Sequence, residues 1–251
     1  MSSSNFYWSQ HLVQGFGRMW FLIVPQRASS PGGGESLLGS VVNEIPGQLF
    51  QGGLIGKSFP EPIHLTTPGL ILKTIDVHRK DLGIDATEPI VQETDFAGVT
   101  ISVDKKDALK IGVGSFPSLP VAFGIDYSRM VSITIEFGGN TRQKYIPTAY
   151  LTRLKQFYKG DDSKIPGSAG VNIDKETIIH QILLTDQYSV TFESQAVFDA
   201  KFEVAIQQAN IINAGKINFE LDRTTKKRVT AKVNDGKEYL IALKDIDWDD
   251  F

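Results

Sequence analysis

Proton transfer and metal ligation fall mostly to histidine, cysteine and clustered carboxylates. The four histidines, His11, His64, His78 and His180, are scattered along a chain of 251 residues. They form no H-E-x-x-H pair and meet no carboxylates at ligand spacing, so each reads as a surface or packed residue. The absence of cysteine removes disulfides, zinc–thiolate sites, iron–sulfur clusters, thiol nucleophiles and palmitoyl anchors. There is no P-loop, no G-x-G-x-x-G after a strand and no G-x-S-x-G elbow, and Gly138-Gly139-Asn140 reads as a turn. Asp245, Asp247, Asp249 and Asp250 lack the glycine and distal glutamate of an EF-hand loop and read as a solvated acidic tail. Arg223, Lys226, Lys227 and Arg228 form a basic cluster without the interleaved aromatics on which single-stranded nucleic acid would stack, and read as a charged hairpin turn. The expectation is a protein with no catalytic residue, no metal, no cofactor and no nucleic-acid partner.

The elements that would position any site are those of a globular chain. Hydrophobic residues make up 41% and charged residues 22%, enough to build a core. A single domain over 1–251 is expected, since all-β domains commonly run to this length. No basic segment followed by an apolar run opens the sequence, and the early apolar run 19–24 is too short to span a bilayer. The expectation is a soluble, cytoplasmic protein. A net charge of −3 gives no general attraction to anionic lipid, so lipid binding would need a local basic patch.

Residues 5–19 fit a short amphipathic helix, with Phe6, Trp8, Leu12, Val13 and Phe16 apolar. Residues 29–34 are a loop by composition. Runs 96–113 and 121–137 are β-rich and flank 114–120, the expected turn of a long hairpin with the apolar tip residues Phe116 and Leu119. The clearest helix covers 148–159: Pro147 precedes a candidate Thr148 cap, Tyr150, Leu151, Leu154, Phe157 and Tyr158 share a face, and Gly160 follows. Arg153, Lys155 and Lys159 give that helix a basic rim. Three later segments alternate as strands do: 188–193, 198–206 and 216–221. In 198–206, Phe198, Ala200, Phe202, Val204 and Ile206 alternate with Asp199, Lys201, Glu203 and Ala205. Residues 238–243 are a last strand.

Two-faced strands of this kind build a soluble sheet with one wet face. They also meet the demand of a transmembrane β-strand, about 9 to 11 residues of apolar-out, polar-in alternation. Since every backbone amide must be paired in a bilayer, such hairpins insert only by closing into a barrel, which makes oligomerisation part of the mechanism.

The order of elements resembles the pore-forming domain of the gasdermins. The resemblance is carried by "GLILKTIDVHRKD" (69–81), "DATEPIVQETDFAGVTISV" (85–103), "TIIHQILLTDQYSVTF" (177–192) and "EYLIALKDI" (238–246), and covers most of the chain from 69 onward. It implies an α+β fold with a twisted antiparallel sheet, long β-hairpins and flanking helices. It further implies binding to acidic phospholipids, assembly with copies of itself or a related variant, and insertion of two hairpins per subunit into a large pore, with lytic cell death as the usual outcome. By position the first hairpin would be 96–137 and the second about 177–221, with Phe198, Phe202, Val204 and Ile206 facing lipid. Arg18 is the first candidate lipid contact, with Lys57, Arg79 and Lys80 beside it.

Many gasdermins carry an inhibitory C-terminal part released by proteolysis; here only a few residues follow the last expected strand. The chain is more similar in this to short fungal members, and it lacks the cysteine that is lipidated near the start of some bacterial ones. The alternative function is a non-enzymatic β-rich binding or structural subunit, in which the alternating strands only build a sandwich.

Overall fold

The computed structural model describes residues 20–27, 37–44, 60–62, 69–96, 100–104, 130–138, 140–165, 177–213 and 217–248. Among them are twelve strands and three helices in the order β1 (Trp20–Arg27), β2 (Val41–Glu44), β3 (Pro60–Pro62), α1 (Leu70–Val77), β4 (Gln92–Asp95), β5 (Thr100–Asp104), β6 (Met130–Phe137), β7 (Arg142–Tyr145), α2 (Thr148–Tyr158), β8 (Thr177–Thr185), β9 (Tyr188–Ser194), α3 (Ala200–Asn213), β10 (Ile217–Leu221), β11 (Arg228–Val233) and β12 (Tyr239–Asp247). The expected α+β class is the one observed, with the strands divided between two antiparallel sheets.

The seven-stranded sheet runs β1-β12-β8-β2-β3, with β7 on β8 and β4 on β7. β8 is central because its sequence is apolar on both faces: Ile178, Ile179, Ile182, Leu183 and Leu184 are all buried. Helices α1 and α2 cover one side and close a core with Leu70, Ile71, Ile75, Leu151, Leu154, Tyr158 and Trp248. Gly39 sits at φ 76° where a Cβ would stand 2.8 Å from Leu72 Cγ. Both the left-handed backbone and the close approach of α1 therefore require glycine.

α2 ends as expected, on Lys159 in the left-handed conformation before Gly160. Its start differs. Pro147 is the N-cap and Thr148 already helical, with no side-chain cap; Thr148 instead accepts at its carbonyl from the Thr152 hydroxyl, 3.0 Å. The basic rim is partly tied inward. Arg153 donates to the carbonyl of Gly83 (3.1 Å) and Lys155 Nζ to that of Trp248 (2.9 Å). The acidic end is corrected in the same region: Asp245 and Asp247 belong to β12, and Trp248 behind them is fully buried, edge-on to Tyr158 at 5.8 Å. Apolar neighbours at 246 and 248 hold this stretch on the sheet against the solvation of its carboxylates.

His180 lies in β8 and is buried; desolvation, with Lys244 nearby, pushes its pKa from 6.5 down to about 4. The unfolded chain therefore binds the proton first, so this group contributes stability above about pH 6.5 that is lost as pH falls toward 4. His180→Gln should flatten the loss of stability between those pH values, by an amount on the order of 3 kcal/mol. Urea denaturation of both chains at pH 7, 5.5 and 4.5 measures it.

Candidate membrane-inserting sheet and its two insertions

The five-stranded sheet has the order β10-β11-β9-β6-β5, every pair antiparallel. Its two faces are sorted by register. One row sets Thr100, Glu136, Ser189, Lys232 and Asn218 side by side, and the next but one sets Ser102, Thr134, Thr191, Thr230 and Glu220. Between them runs a row of Ile101, Ile135, Val190, Ala231 and Phe219, and beyond lies Val103, Ile133, Phe192, Val229 and Leu221. Ile135, Val190, Phe192, Phe219, Val229 and Ala231 are buried. The other face is held by polar contacts, among them Thr191–Thr230 (2.8 Å), Ser132 on Glu193 (3.2 Å) and Lys232 on Glu220 (2.8 Å). Strict period-two alternation in each strand produces this sorting.

The last row at one end contains Asp104, Ser132, Glu193 and Arg228. At that end the chain leaves β5, returns at β6, leaves β9 and returns at β11. Two insertions therefore issue from the same end of the strip β5-β6-β9-β11: residues 105–129, about 25 long, and 195–227, about 33 long. The first pair is the expected hairpin 96–137, whose base is β5–β6; its tip, with Phe116 and Leu119, lies outside the described residues.

The second hairpin expected at 177–221 is not formed. β8 and β9 lie in different sheets, because β8 is apolar on both faces while β9 alternates and needs one wet face. The pair that is formed is β9–β11, with α3 and β10 inside its loop.

The strand expected at 198–206 is also corrected, since Ala200–Asn213 is helix α3. Asp199 caps it, accepting from the Phe202 backbone N–H at 2.9 Å. Phe202 and Ile206, four apart and hence on one helical face, are buried, whereas Val204 is 51% exposed. Phe198 stacks on Phe202 with centroids 4.2 Å apart. The helix signal lay in Asp199 ahead of the helix formers Ala205, Gln207 and Gln208, which the period-two pattern outweighed. α3 packs on β10, and the Asn210 amide donates to the Phe219 carbonyl (2.8 Å) and accepts from its N–H (2.7 Å).

The period-two pattern is nonetheless in phase with the sheet. Tyr188, Val190, Phe192 and Ser194 of β9 point to the buried side, and the same parity continues as Phe198, Ala200, Phe202, Val204 and Ile206. On the returning arm Val229, Ala231 and Val233 are buried, and their parity runs back through Lys227, Thr225 and Arg223 to Leu221, Phe219 and Ile217. The basic cluster is the β10–β11 turn, as expected. Asp222 accepts from Thr224 and Thr225, which holds its pKa below the usual carboxylate value, and Lys226 adopts φ 51° and meets Glu203 at 2.7 Å.

Of the expected lipid contacts, Arg18 and Lys57 lie outside the described residues. Arg79, just after α1, is engaged with Asp76 (2.8 Å) and with the carbonyls of Asp85 and Glu88 (3.0 and 2.7 Å), which organises the loop between them. Lys80 beside it is exposed. His78 contacts Asp81 at 3.2 Å and lies 4.8 Å from the Phe157 ring. Among the described residues no helix is long and apolar enough to cross a membrane, and no three metal-binding side chains converge.

These features define a class: an α+β protein of two antiparallel sheets, one of which carries two long insertions at one end of a four-strand strip. Among solved structures the chain is similar to a bacterial gasdermin from Bradyrhizobium tropiciagri, at 12% identity and a TM-score of 0.31. The match covers 62% of this chain and 61% of that one, which is less than two thirds of its length. No protein-family model and no curated protein matches.

Proposed function

We propose that this protein is non-enzymatic and perforates membranes that carry acidic phospholipid, by binding lipid, assembling with copies of itself or a related variant, and inserting two β-hairpins per subunit, with lysis of the cell as the consequence. The observation that carries the reading is the exit of both insertions from one end of the strip β5-β6-β9-β11. Their lengths suffice to add about 10 residues or more to each of four strands, the span of a transmembrane β-strand. Continued in phase, the apolar positions from Phe198 to Ile206 face lipid, and Phe116 and Leu119 lie near the tip of the other hairpin. Arg223 and Lys227 then fall within a few residues of the sheet on the lipid-facing side. At about 3.3 Å per residue that is headgroup level, where basic side chains meet anionic lipid. Arg18, Lys57, Arg79 and Lys80 are the further contacts. The protein begins in the cytoplasm and moves to the membrane on activation.

Dye release from liposomes with and without anionic phospholipid, scored beside negative-stain images, tests the reading. Leakage with ring-shaped particles on anionic liposomes is expected. A protein that stays in solution and leaves both liposomes intact is instead a β-rich binding or structural subunit.

A further inference from the structure

We propose that Thr225 is a phosphorylation site for a protein kinase that selects basic sequence, and that phosphate on it cancels the lipid-binding charge of the second hairpin. The inference rests on the membrane-inserting reading and adds to it a chemical control over that reading's own lipid contacts.

β10 and β11 are joined by a turn in which all six residues from Arg223 to Arg228 are exposed. Four of the six are cations: Arg223 lies two residues before Thr225, and Lys226, Lys227 and Arg228 follow it directly. Lys226 meets Glu203 and Arg228 meets Glu193, while Arg223 and Lys227 carry no ion pair among the described residues. A threonine flanked by cations on both sides complements the acidic substrate groove of a basic-selective kinase. The hydroxyl is at the surface and held in place: it donates to Asp222 (3.0 Å) and accepts from the Lys227 backbone N–H (3.2 Å). In the transfer, a bond forms between Thr225 Oγ1 and the γ-phosphorus of ATP and the bond from that phosphorus to the β,γ-bridging oxygen breaks. ADP leaves, and the hydroxyl proton passes to the kinase's general base.

Register distinguishes Thr225 from its neighbour Thr224. Val229, Ala231 and Val233 lie on the buried side of β11, and the same parity runs back through Lys227, Thr225 and Arg223. In the extended hairpin Thr225 therefore stands between the two cations that reach the headgroups, whereas Thr224 falls on the polar side with Lys226 and Arg228. Phosphothreonine carries a charge of about −1.5 to −2, enough to offset Arg223 and Lys227 together. Offsetting two basic residues at an anionic surface in every subunit should weaken membrane binding by about 10-fold or more.

The full chain is incubated with magnesium ATP and the catalytic domain of protein kinase C, and phosphate is located by mass spectrometry. Phosphate is expected on Thr225; a chain that stays unmodified at that position overturns the site. The modified chain is then compared with the parent on anionic liposomes, where sedimentation and dye release should both fall by about 10-fold or more. Undiminished leakage from chains phosphorylated at Thr225 overturns the switch and leaves the pore reading standing. A parent chain that never leaks sinks the pore reading and the switch with it. Thr225→Glu and Thr224→Glu add the same charge to the same exposed turn on opposite parities. T225E should leak about 5-fold less than T224E, since it offsets one headgroup cation in each subunit. Thr225→Val, which removes the same hydroxyl without adding charge, should leak as the parent does. Equal leakage from T225E and T224E, or a loss from T225V as large as that from T225E, overturns Thr225 as a control of the lipid face.

Discussion

Val204→Lys should leave the folded protein as stable as the parent and reduce its membrane leakage by about 30-fold or more. The side chain is 51% exposed on α3, where surface substitutions change stability by about 0.5 kcal/mol at most and lysine is a better helix former than valine. In the extended hairpin proposed above the same position would face hydrocarbon, where a lysine costs about 2 to 4 kcal/mol near the bilayer midplane. The cost recurs in every subunit. Phe202 has the same parity but is buried in this fold against Phe198. Its replacement by aspartate would disrupt both states, which is why Val204 separates them. Paired melting curves and dye-release titrations check the prediction; a Val204→Lys chain that melts normally and leaks as the parent does removes 198–206 from the lipid face.

Trp248→Ala should destabilise the folded protein by about 3 to 5 kcal/mol, the usual cost of deleting a fully buried large aromatic. Trp248 is 1% exposed, packs edge-on to Tyr158, and its carbonyl accepts from Lys155. It thus fixes the end of β12 to α2 at the centre of the helix-covered core. Urea denaturation at pH 7 measures the change, and a midpoint shift equivalent to less than about 1 kcal/mol would show that the site collapses around the smaller side chain.

Much of this architecture is written locally. The helix 148–159 and the strands at 188–193 and 216–221 were legible because each satisfies a single period, with a breaker at its end. Segment 198–206 satisfies two. Phe198, Phe202 and Ile206 recur four apart and suit a helix, while Phe198, Ala200, Phe202, Val204 and Ile206 alternate and suit a strand; the Asp199 cap and packing on β10 decide for the helix in the folded chain. The pairing of β9 with β11 rather than β8 was not legible, because it depends on which sheet each strand joins and no local pattern encodes that choice. For the same reason the exit of both insertions from one end of the strip is a property of topology alone. The ambivalence at 198–206 is what a segment that is helical in one state and extended in another requires, so the misread stretch coincides with the candidate site.

The most direct measurement of the central claim is a single-cysteine scan of 198–206, one environment-sensitive dye at a time, read before and after adding anionic liposomes. In solution, exposure should follow the helix, with Phe202 and Ile206 shielded and Val204 open. On liposomes a change to period two is expected, with dyes at 198, 200, 202, 204 and 206 entering an apolar environment quenched by a lipid-borne quencher and those at 199, 201, 203 and 205 remaining in water. Persistence of the helical pattern on liposomes that leak would contradict it.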